Sequence, residues 1–176
     1  PTLAGIEISG LFSSSDGAGR TAGDGFIIGD TLTYTATIEE QSELASAGQM
    51  NVTLTLSNSK QLVLTRPDGA AASDMVFSAD YVIASGDTDE PDLVIESLSI
   101  AGISDVSGNT LSSESIDLSS VPITYAGDAK SDGISVDANA PTATIAVADD
   151  NSTHTYNAVT GVLTLQGTGL TTLLQS

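Results

Sequence analysis

The run Thr31-Leu32-Thr33-Tyr34-Thr35-Ala36-Thr37-Ile38 decides the fold class. Leu32, Tyr34, Ala36 and Ile38 fall on one side of an extended chain and the four threonines on the other, the period of a half-buried β-strand. MNVTLTLS (50–57) alternates in the same way, with Met50, Val52, Leu54 and Leu56 inward. It passes through the tight turn NSK into QLVLTRP (61–67), the clearest hairpin of the chain. Outward from this centre, TLAGIEI (2–8), MVFSADYVI (75–83) and LVIESLSI (93–100) read as strands. LSSESI (111–116) reads as a weaker strand, and VPITYAG (121–127) and GISVD (133–137) as short ones.

Short strands with turn signals every eight to twelve residues and no convincing helix predict an all-β chain, a β-sandwich of immunoglobulin type. The cysteine pair and core tryptophan of antibody domains are both missing, so the pattern implies the architecture alone. The joint follows in VDANAPT (136–142), where Asn139-Ala140-Pro141 imposes an extended approach to the proline. Pro-Thr ahead of a strand-like run occurs both at Pro1-Thr2 and at Pro141-Thr142. The expected division is a sandwich over 1–137, a linker over 138–141, and the truncated start of a second β-rich module over 142–176. In that last part TATIAVADD (142–150) restarts a strand and residues 152–167 form a hairpin.

Composition narrows the function. The chain of 176 residues has 23 acidic and 4 basic side chains, a formal charge of -19, so nucleic acid and anionic membrane surfaces would repel it. There is no run of 18 apolar residues, so no membrane insertion is expected. There is no cysteine, so a secreted domain of this size needs a staple other than a disulfide, and Ca²⁺ is the usual one. No Gly-x-Ser-x-Gly elbow accompanies the single histidine, His154, and the absence of Trp argues against a sugar-stacking cleft. No enzyme is expected.

GDTLTYTATIEE (29–40), YVIASGDTDEPDLVIESLSIAG (81–102) and ISDVSGNTLSSE (103–114), in that order, resemble the bacterial Ig-like repeats of large secreted (RTX-type) surface adhesins. VDANAPT resembles the linkers between such repeats, and YNAVTGVLTLQGTGL (156–170) resembles a different surface-protein repeat. The loops at 10–29 and 39–49 are longer than the family's pattern. The resemblance implies an extracellular or cell-surface spacer repeat, stiffened by Ca²⁺ at its ends and supporting attachment or biofilm formation. Its partners would be neighbouring modules of the same polypeptide. The alternatives are a module binding a glycan or protein ligand, and a subunit of a surface layer or filament.

Sandwich topology gathers alternate loops at one end. Loops 39–49, 67–74 and 101–110 are expected together, and loops 10–30 and 84–92 at the other end beside the linker. By analogy with the family, one Ca²⁺ site would use Asp87, Asp89, Asp92 and Asp137, with Asp149 or Asp150 from the following module. A second would use Glu39, Glu40, Asp105 and Asn109. The plainer alternative is that these are solvated loop carboxylates.

Overall fold

A computed structural model describes residues 1–13, 25–41, 43–45, 50–66, 75–112, 116–129, 131, 133–139, 155–157 and 162–164. The chain divides into two compact units, Pro1–Asn139 and Ala140–Ser176. In the first, seven strands form one mixed sheet: β1 (Thr2–Leu11), β3 (Thr31–Glu39), β4 (Asn51–Leu56), β5 (Gln61–Thr65), β6 (Val76–Val82), β7 (Ile95–Ala101) and β8 (Ile123–Gly127). Their order is β7-β4-β5-β6-β3-β1-β8. β2 (Phe26–Ile27) pairs in parallel with β9 (Val136–Asp137). In the second unit, β10 (Thr155–Asn157) and β11 (Val162–Thr164) form an antiparallel pair.

Alternation along the strands sets which side is core. Leu32, Tyr34, Ala36 and Ile38 of β3 are buried, as are Val52, Leu54 and Leu56 of β4. They join Ile6, Ile8, Leu64, Phe77 and Tyr81 in one cluster that draws on both halves of the sheet. A sheet with one apolar face requires a second layer over it. Among the described residues no α-helix supplies one, so the sheet covers itself by curling, an arrangement compatible with a β-sandwich. Pairing along the sheet is uneven. β5 and β6 share one rung, Thr65↔Ser78, whereas β3 pairs with β1 and with β6 along nearly its whole length.

The parallel pairing of β8 with β1 depends on glycine. Gly10 and Gly127 are partners at its end. A Cβ on Gly10 would overlap the Phe26 ring and stand 2.6 Å from the Ala129 nitrogen. Gly127 has φ 61° and lies against the Gly10 carbonyl, so both positions need a residue without a side chain.

Several sequence expectations change. The loop expected over 10–30 contains β2. The weak strand expected over 111–116 is absent at the residues described there, and the next regular element is a 3₁₀ turn at Leu118–Ser120, capped by Asp117. The expected strand 142–150 and the loop 67–74 lie outside the described residues.

Candidate functional site

The two ends of the sheet carry the carboxylates singled out above. At the Glu39 end, where β1 begins and β3 finishes, loop 43–45 bridges onto loop 104–106. Leu44 pairs with Asp105, the Ala45 N–H donates to the Ser104 carbonyl at 2.8 Å, and that of Val106 donates to the Glu43 carbonyl at 3.0 Å. Loops 39–49 and 101–110 therefore meet, as sandwich topology requires. Asp105 is buried and turned into its own loop. It accepts from the Ser107 N–H at 2.9 Å, the Asn109 N–H at 2.8 Å and the Asn109 side-chain amide at 2.6 Å. These donors, the Asn109 side chain foremost, hold its pKa below the ordinary 3.8. Glu40 accepts from the Gln41 N–H and pairs with the Pro1 ammonium. Glu39 is exposed and lines an open concavity of about 490 Å³ with Ile38, Glu40 and Met75.

At the opposite, Leu11 end, Gly29 and Asp30 are each bonded to Ile83, just ahead of loop 84–92, and Val136 pairs with both Phe26 of loop 10–30 and Glu90 of loop 84–92. Asp30 is fully buried and accepts the N–H groups of Ser13 at 2.7 Å and Ile27 at 2.8 Å. The linker also arrives here. Val136 and Glu90 exchange two backbone bonds, and the Leu93 N–H donates to Ile134. Asp89 accepts from the Ala138 N–H at 2.8 Å and from the Asn139 side chain, while Asp137 accepts the Asn139 N–H at 3.0 Å. Asp89 and Asp137 are thus brought together on Asn139. Asp92 is exposed and lies beside Gly133.

Asp87 is drawn elsewhere. Its Oδ1 takes the Lys60 ammonium at 3.1 Å, and its Oδ2 takes the Ala84 N–H at 3.1 Å. Burial works to raise its pKa, but the Ala84 N–H, Lys60 and the Tyr81 hydroxyl outweigh burial and lower it. Tyr81 also accepts the Asn58 side-chain amide at 2.9 Å. Burial foremost, then the nearby Asp87, pushes the Tyr81 phenol up to about 12.

One chemical rule runs through both ends. Asp30, Asp87, Asp89, Asp105, Asp117, Asp128 and Asp137 each accept a backbone N–H. A carboxylate so held fixes loop backbone that has no ladder partner. Among the described residues no three acidic or histidine side chains converge into a group that would hold a metal ion. Asp149, Asp150 and His154 lie outside the described residues. Asn58, Lys60 and Tyr81 were not singled out from sequence. The available signal was Lys60 itself, one of only four cations and placed in a hairpin turn.

Comparison with known protein families, with characterised proteins and with solved structures finds no match to this chain. Among the described residues no helix is long and apolar enough to cross a membrane.

Proposed function

We propose that the chain is a structural spacer repeat, an immunoglobulin-like sandwich followed by part of a second β module, from a large bacterial cell-surface or secreted adhesin. The observation that carries this reading is the path of the chain through its first unit. It enters at the Glu39 end, where Thr2 pairs with Glu39, and leaves at the Leu11 end, where Asn139 is bonded to Asp89. The ten residues of β1 separate those ends by about 30 Å. Modules threaded in this way add length one after another. The resemblance of the strand and linker motifs to adhesin repeats, and the acidic excess, point to the same role outside the cell.

The proposed mechanism is mechanical. β1 and β8 run parallel from Ile6↔Ile123 to Gly10↔Gly127, so tension between the two ends loads their hydrogen bonds together rather than one at a time. Force spectroscopy on the full chain tests this, because the cysteine-free sequence allows attachment through introduced cysteines. Tethers at Thr2 and Asn139 should need severalfold more force than tethers at Thr2 and Glu39, which peel one antiparallel ladder. Equal forces would overturn the spacer mechanism.

Calcium-dependent stiffening is a separable part of the proposal. It requires Asp89, Asp92 and Asp137 to share an ion with further oxygens that the described residues do not group around them. Calorimetric titration with CaCl₂, and melting in calcium and in chelator, decide it. No heat together with unchanged melting removes calcium and leaves the spacer.

A further inference from the structure

Among the described residues, the β5–β6 seam of the sheet is closed by a single backbone rung. β5 and β6 are bridged only at Thr65↔Ser78, toward the Glu39 end. Antiparallel continuation of that register would bring Gln61 opposite Val82 at the Leu11 end, where no rung forms between them. Four residues occupy this place, and two links between their side chains run from the β4–β5 turn to β6 and the loop after it. The Asn58 amide donates to the Tyr81 hydroxyl at 2.9 Å, and Asp87 lies close enough to that hydroxyl to raise its pKa. Asp87 takes the Lys60 ammonium at 3.1 Å, and the Lys60 N–H returns to the Asn58 side-chain oxygen at 3.2 Å. The Lys60 ammonium also stands 5.1 Å from the centre of the Tyr81 ring. Asn58 and Lys60 belong to the β4–β5 turn, Tyr81 to β6, and Asp87 to the loop after β6. The Asn58–Tyr81 bond and the Lys60–Asp87 pair therefore both cross the seam.

We infer that Asn58, Lys60, Tyr81 and Asp87 form a side-chain latch across the β5–β6 seam, and that its release opens the sheet locally while the remaining ladders stay paired. The physical ground is the contrast between the two kinds of closure. A ladder is a row of main-chain bonds shielded by its neighbours. The latch consists of one buried hydrogen bond, Asn58 to Tyr81, and one ion pair whose lysine is 40% exposed, a contact that salt and substitution reach directly. The consequence is a preferred first opening of the sheet at the Leu11 end. This inference does not depend on the spacer reading.

Spin labels on introduced cysteines test it in the full chain. Labels at Gln61 and Val82 report the seam, and labels at Thr31 and Val82 report a closed rung of the β3–β6 ladder. In Lys60→Met and Tyr81→Phe backgrounds the dipolar coupling across 61–82 should spread toward longer distances. The open population should rise about two- to fivefold in Lys60→Met, the scale set by a part-exposed ion pair, and about fivefold or more in Tyr81→Phe, which loses a buried hydrogen bond. The coupling across 31–82 should stay as it is, and Lys60→Arg should retain the unaltered 61–82 coupling. About 1 M salt should reproduce the opening without any change in the latch residues. Unchanged 61–82 coupling in both backgrounds and in salt would overturn the latch. So would equal loosening across 31–82, which would mean general destabilisation.

Discussion

The β1–β3–β6 and β4–β5–β7 halves of the sheet are written in similar alternating sequence but are closed differently. β3 is held on both flanks by long ladders, and β1 is further closed by β8. β5 is laddered to β4 alone and meets β6 at one rung. Both halves bury their apolar faces in the same cluster. The difference teaches that burial fixes which way the strands face, while backbone pairing and turn side chains fix how tightly they are joined. The predictions probe these two contributions separately.

The largest effect should come from burial. Phe77 is fully buried on β6, directly beside the seam. Phe77→Ala should cost about 3–5 kcal/mol in urea denaturation, from lost transfer energy and the cavity left behind. A loss below about 1 kcal/mol would mean that the two halves do not share one core. Next comes the closed flank. Gly10→Ala places a methyl group against the Phe26 ring and the Ala129 nitrogen, so overpacking should cost about 1–3 kcal/mol. A neutral outcome would show that β8 is not seated on β1 at this point.

The facing of the strands was legible because period-two alternation is local. The run 31–38 and the hairpin 50–67 contain their own answer, and the buried residues are those the pattern predicts. The meeting of loops 39–49 and 101–110 was legible too, since alternate connections must lie at alternate ends. The parallel β1–β8 pairing was not legible, because it joins residues more than a hundred positions apart through glycines that look like turn residues. The partners of the acids were the hardest to read. An aspartate that binds an ion and one that holds a backbone N–H are the same letter in sequence. Asp87 illustrates this: its place in DTDEPD suggested a joint carboxylate, but the turn that brings Lys60 to it lies 27 residues earlier.

Two buried tyrosines make a sharper test of the seam against the ladder. Tyr34, on β3, has a buried hydroxyl with no hydrogen-bond partner, and burial raises its pKa well above the ordinary value. Tyr34→Phe removes a polar atom that loses water and gains nothing, so stability should be unchanged or rise by about 1 kcal/mol. Tyr81 has the Asn58 amide as partner, and Tyr81→Phe leaves that buried amide without it. That change should cost about 1–2 kcal/mol. The two substitutions remove the same atom from the same kind of residue, so opposite signs in paired denaturation curves isolate the hydrogen bond of the latch. Equal losses would mean that Tyr34 has a partner of its own, such as an ordered water.

The smallest effect separates two of the shifted aspartates, Asp105 and Asp87, by the nature of what holds them. Asp105 is held by N–H groups of its own loop, whereas Asp87 adds to the Ala84 N–H of its own loop an ion pair with Lys60 across the seam. Both have lowered pKa values in the folded chain. The stability each contributes is therefore present above the ordinary aspartate value of 3.8 and is lost as pH falls through the folded value. Acid alone would not reveal this, because protonation also relieves repulsion in a chain of charge -19. The difference between the native chain and each Asn variant does reveal it, since the general repulsion is common to both. Asp105→Asn and Asp87→Asn should each be less stable than the native chain at about pH 6, with the gap closing toward about pH 2. Added salt at about pH 6 should shrink the Asp87 gap and leave the Asp105 gap nearly intact, because salt screens an exposed charge pair far more than short bonds inside a folded loop. Equal salt responses would mean that the Lys60 ammonium is not what Asp87 contributes, and the distinction between the latched seam and the self-tied loop would fail.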